Sequence, residues 1–105
     1  MVLCFNVTCS YNVETLMKVY KFGAVWCPGC LVMKPRWKEI EAENPWLETR
    51  YFDYDTSKEM VDKFNIGKVL PVFVFLDKNN KEITRLIGEV SKDSIMRIVR
   101  DNKDL

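Results

Sequence analysis

Apolar stretches of strand length alternate with amphipathic stretches of helix length along the chain, and this alternation restricts the fold more than any other feature. A helix between two strands acts as a crossover, which joins parallel strands where a tight turn cannot. The pattern predicts a short strand over Val2–Val7. A helix follows, capped by Ser10 and running to about Lys18, with Val13, Leu16 and Met17 inward. Val19–Val25 reads as a strand buried on both faces apart from Lys21. The next helix begins at Pro28, where a missing N–H leaves nothing unpaired. It carries Leu31, Val32, Trp37, Ile40 and Glu41, kinks at Pro35 and ends at Asn44-Pro45. Glu48–Tyr54 is a strand, and Thr56 with Glu59 has the spacing of a capping box for a helix whose apolar side is Met60, Val61 and Phe64. Val69–Leu76 is a strand, Asp77–Lys81 a turn and Glu82–Gly88 its hairpin partner. Ser91 caps a last helix with Ile95, Ile98 and Val99 on one side. The order βαβαβαββα predicts an α/β protein with a mixed sheet covered by helices on both faces.

A length of 105 residues predicts one domain over residues 1–105, able to bury roughly two-thirds of its unfolded surface. Sixteen Lys and Arg against fifteen Asp and Glu leave a net charge of +1, which argues against nucleic-acid or anionic-membrane partners. The longest apolar run, Val69–Leu76, is interrupted by Pro71 and falls far short of the roughly 20 residues that cross a bilayer. The opening MVLCFNVTCS lacks the basic and apolar regions of a secretory signal, so the expected location is the cytoplasm. Histidine is absent, which removes Ser/His and Cys/His hydrolysis, His-ligated metals and imidazole bases.

Chemistry therefore falls to the four cysteines, Cys4, Cys9, Cys27 and Cys30. They are too few for a disulfide-stapled scaffold, which points to reactive thiols in a reducing compartment. Cys27 and Cys30, three positions apart where a strand meets a helix, can face each other across one turn and form a reversible disulfide. Cys27 falls at the helix N-terminus, where unpaired N–H groups and the helix dipole favour a thiolate. It is the expected nucleophile. Cys30, one turn in, is the expected resolving thiol and the less exposed of the two. A structural zinc site would need Cys4 and Cys9 as its other ligands, and their spacing does not repeat the Cys-x-x-Cys knuckle, so no metal is expected. Cys4 and Cys9 read as small buried hydrophobes or idle thiols.

Over nearly the whole chain these residues resemble the thioredoxins. Phe22-Gly23-Ala24-Val25-Trp26-Cys27 resembles the strand that leads into the family's active site, and Pro35 resembles the proline that kinks its helix. Leu70-Pro71 is similar to the loop whose cis-proline lies against the dithiol, and Gly88 to a glycine of the substrate groove. The resemblance implies the thioredoxin fold and a monomeric electron carrier that reduces protein disulfides. Cys27 and Cys30 would be its redox centre, with no bound cofactor. Trp26, Pro28, Gly29, Leu70, Pro71 and Gly88 would line the substrate site, and a flavin-dependent thioredoxin reductase would return the electrons.

Two departures bear on the chemistry. Pro28-Gly29 stands where thioredoxins usually have Gly-Pro, an order nearer to glutaredoxins, although Val69-Leu70 and the lack of a Gly-Gly pair after the hairpin do not fit that family. Lys21 stands where the family usually has a buried Asp, and the position that often carries Lys aligns with Tyr51. Lys21 is thus a candidate modulator of the thiol pKa values, either as a neutral proton acceptor or as a fixed cation. The alternative is an ammonium that snorkels to solvent from the strand. A glutaredoxin-like protein, a more oxidising oxidase or isomerase, and a binding module with incidental cysteines are the competing functions.

Overall fold

A computed structural model describes residues 17–102. Its elements are β1 (Met17–Gly23), α1 (Pro28–Glu43), β2 (Glu48–Asp53), α2 (Lys58–Lys63), β3 (Val72–Asp77), β4 (Glu82–Ile87) and α3 (Lys92–Asn102). The strands form a mixed sheet of order β2-β1-β3-β4. β1 runs parallel to β2 and antiparallel to β3, and β4 is the antiparallel hairpin partner of β3. The α/β architecture is the one expected. The strand over Val2–Val7, the cap at Ser10, Cys4 and Cys9 lie outside the described residues.

Alternation along the strands sorts the core into two layers. Met17 and Val19 of β1 join Phe73 and Phe75 of β3 beneath α1 and α3, where Met33, Trp37, Ile40, Ile95 and Val99 complete the layer. Phe22, Val72, Val74 and Leu76 face the other way, onto Met60, Val61 and Phe64 of the α2 region. β3 is buried on both faces from Val72 to Leu76 because it lies between two strands with helices above and below.

Several boundaries differ from expectation. Met17 and Lys18 belong to β1 rather than to a helix, since they continue the pairing with Asp77 and Leu76 of β3. Met17 is wholly buried in either reading, so its apolar character alone could not separate the two. At the other end β1 stops at Gly23, and Val25 stands 82% exposed in the turn that leads to α1. The Gly23 carbonyl is taken there by the N–H of Tyr54. Thr56 makes no capping box. Ser57 is the N-cap of α2 without a side-chain bond, and Asp53 orders the approach by accepting the N–H groups of Asp55 and Ser57. β3 begins at Val72, after the loop that holds Pro71. The expected strands to Tyr54 and Gly88 end one residue earlier, at Asp53 and Ile87, and other signals hold. Asp77 Oδ1 accepts two turn N–H groups, Ser91 Oγ accepts the Ser94 N–H at 3.1 Å, and α1 runs through Pro35 to its C-cap Asn44.

Truncating Phe75 to Ala should remove about 3–5 kcal/mol of stability, because its site is closed on every side. Leu31→Ala, on the exposed side of α1, should stay within about 0.5 kcal/mol. Urea unfolding of the two variants checks the contrast.

Candidate active site

The turn after β1 delivers Cys27 to the start of α1 as its N-cap, with an extended backbone and Pro28 in the first helical position. The Cys27 N–H donates to the Ala24 carbonyl, and Cys27 Sγ accepts the Cys30 N–H at 3.3 Å. A helix N-cap normally offers a side-chain oxygen to such an orphan donor, and here sulfur does the same work. Cys30 lies one turn along, and both thiols are free.

The expected order of exposure is reversed. Cys27 is buried to 4% exposure, whereas Cys30 is half-buried. Pro71 lies against the helix start at Gly29. An ideal Cβ on Gly29 would lie 3.2 Å from Pro71 Cδ and 3.9 Å from Cys27 Sγ. Cys30 instead opens into a cavity of about 320 Å³ beside α1, lined also by Gly23, Trp37, Tyr51 and Phe73. Partial burial, and then its contact with Cys27, push the Cys30 thiol up to about 11, against a smaller opposing effect of the Ala24 backbone.

The residues expected beside the dithiol are brought together. Leu70-Pro71 is cis, and the Pro71 carbonyl accepts the Gly88 N–H at 2.7 Å. Gly88 has φ +90°, a conformation that a side chain would resist, at the end of β4. Leu70 anchors the loop by packing on the α2-side core. Trp26 is exposed, and its Nε1–H donates to Asp55 Oδ2 at 2.7 Å, which fixes the indole beside Cys27. Val25, Leu31, Val69 and Ile87 are exposed too, each next to or within two residues of a site residue along the chain.

Lys21 is neither alone nor free in solvent. Its Nζ donates to Glu41 Oε2 at 2.7 Å with the side chain largely covered, and the ammonium lies 5.4 Å from the centre of the Trp37 ring. Thr49 Oγ1 donates to the same carboxylate oxygen. Glu41, Asp55, Tyr51 and Gly23 were not among the residues singled out for the site. Periodicity does carry part of that signal. Lys21 and Gly23 share a face of β1, while Cys30, Trp37 and Glu41 recur at helical spacing on α1.

The raised Cys30 thiol links stability to pH. The folded state keeps a proton that an unfolded thiol loses near 9, so this contribution is present below about pH 9 and lost as pH rises to about 11. Urea midpoints of the reduced protein should fall across that window, and the fall should be smaller in Cys30→Ser. Gly23 gives a second check. A Cβ there would come within 3.0 Å of Cys30 Sγ and 3.2 Å of the Tyr51 ring, so Gly23→Ala should cost about 1–3 kcal/mol. Gly67→Ala meets no atom within 4 Å and should cost nothing measurable by the same unfolding assay.

A family model described as thioredoxin matches residues 8–101. The thioredoxin of Chlamydia muridarum is 28% identical over 78 residues, 74% of this chain and 74% of that protein. Thioredoxin H7 of Arabidopsis thaliana is 31% identical over 80 residues, 76% of this chain and 60% of that protein. The structure of Fasciola hepatica thioredoxin superposes with a TM-score of 0.76 at 24% identity, covering 86% of this chain and 84% of that one, and so shares its fold. Match and fold agree along nearly the full length: the chain belongs to the thioredoxin family.

Proposed function

We propose that the chain reduces disulfides in other proteins, the specific form of the thiol-disulfide oxidoreductase chemistry that its family membership supports. The observation that carries this reading is the pairing at the start of α1, where Cys27 Sγ accepts the Cys30 N–H and the second thiol lies one turn away. A hydrogen bond to sulfur is stronger when the sulfur is charged, so this contact favours Cys27 as the thiolate nucleophile. Cys27 Sγ attacks one sulfur of the substrate disulfide, a Cys27–substrate bond forms, and the other substrate sulfur leaves as a thiolate and takes a proton. Cys30 then attacks Cys27 Sγ, closes the intramolecular disulfide and releases the second substrate thiol. Two electrons pass from the dithiol to the substrate.

The surroundings support a polypeptide substrate. Trp26, Leu31, Val69 and Ile87 offer exposed apolar area, and Pro28, Gly29, Leu70, Pro71 and Gly88 would border the approach to the dithiol. Electrons would return from a flavin-dependent reductase in the cytoplasm. Lys21, tied to Glu41, would act on the dithiol only as part of an ion pair.

The test is turnover of a protein disulfide with dithiothreitol as the electron source. Cys27→Ser should abolish reduction. Cys30→Ser should accumulate a covalent Cys27–substrate disulfide visible by intact mass. Full activity in Cys27→Ser, or no covalent adduct in Cys30→Ser, would overturn the assignment of roles.

A further inference from the structure

Behind Cys30 lies a group that the exchange chemistry above leaves unused. β1 and β2 run side by side with Lys21 opposite Tyr51, and alternation puts Gly23 on the same face of β1 as Lys21. Because Gly23 has no side chain, a gap stays open at the end of the strand. A Cβ placed in it would lie 3.0 Å from Cys30 Sγ and 3.3 Å from the Tyr51 hydroxyl. Sulfur and hydroxyl thus border one space, and both residues line the same cavity.

The electrostatics of the cavity favour a neutral donor there. Lys21 is engaged by Glu41, Lys34 and Lys38 stand exposed on α1, and Asp53 and Asp55 are carboxylates that act on the phenol. Burial first, then Asp53 and the two thiols, hold the Tyr51 hydroxyl above its ordinary range, which favours the protonated phenol, the form that can donate.

We propose that the Tyr51 hydroxyl donates a hydrogen bond to the Cys30 sulfur as its thiolate forms, and thereby accelerates the step in which Cys30 displaces the substrate from Cys27. The proposal rests on the exchange reading above. In that step Cys30 gives its proton to water and its thiolate forms a bond to Cys27 Sγ. The Cys27–substrate bond breaks, and its electron pair leaves on the substrate sulfur, which is then protonated. Tyr51 gives up no proton and forms no bond. It lowers the cost of the charge on the attacking sulfur.

Stopped-flow mixing of the reduced protein with one equivalent of dithiodipyridine separates the two attacks. The first thiopyridone released reports Cys27, and the second reports displacement by Cys30. Tyr51→Phe keeps the ring and removes the hydroxyl. It should leave the first phase within about twofold, slow the second about tenfold, and move the pH midpoint of the second phase upward. Gly23→Ala, which inserts a methyl into the gap with the hydroxyl still present, should slow the second phase as well. An unchanged second phase and midpoint in Tyr51→Phe, beside a biphasic wild type, would overturn the hydrogen bond and leave the exchange reading intact. A wild type that never releases the second equivalent would overturn both.

Discussion

Helix α1 lies as close to the end of β1 as it does because the strand presents no side chain at Gly23. The Cys30 sulfur rests at 3.0 Å from where a Cβ would stand, and no rotamer change by a neighbour would clear a methyl from that space without moving sulfur or ring. From this approach the rest follows in order. The helix start is brought against the loop of Pro71, the dithiol is set beyond the end of the interior strand β1, and Met33, Trp37 and Ile40 reach the layer made by β1 and β3. The site is therefore an outcome of packing one helix on one sheet, and its geometry is supported by the same contacts that hold the core together.

Most of this architecture was legible in the sequence because period and punctuation agree along the chain. β3 and β4 are marked by a dense apolar run and an Asx turn, α3 by Ser91, and α1 by Pro28 at one end and Asn44-Pro45 at the other. Boundaries failed where two physical readings share one pattern. Met17 is apolar whether it ends a helix or begins a strand, and only its pairing across to Asp77 decides. Val25 continues the composition of β1, yet the chain must turn there for Cys27 to cap the helix. At α2 the competing element was Asp53, whose backbone and side chain order the approach without help from Thr56.

The dithiol, the cis prolyl loop and Gly88 were legible as a group, since each sits on a local signal that survives in one dimension. The relative exposure of the two cysteines was not. Helical position alone places Cys30 further in, but Cys27 is the buried thiol, and Cys30 lines a cavity assembled from residues as distant as Phe73. The pairing of Lys21 was only partly visible, because Glu41 meets it, and Thr49 meets Glu41, only once α1 and β2 pack against β1. A lone lysine on a buried strand face is costly, and the structure supplies an opposite charge and a hydroxyl to the same carboxylate. The ion pair, rather than either charge alone, is the unit that joins β1 to α1.

The order Pro28-Gly29 has a consequence for how this site can vary. Gly29 is the residue against which the prolyl ring comes to rest, with room for a Cβ only at 3.2 Å from Pro71 Cδ. A side chain at 29 needs the prolyl ring or the helix start to give by a few tenths of an ångström. Positions 29 and 71 are thus coupled across the chain, and a substitution at one is tolerated only as far as the other can shift.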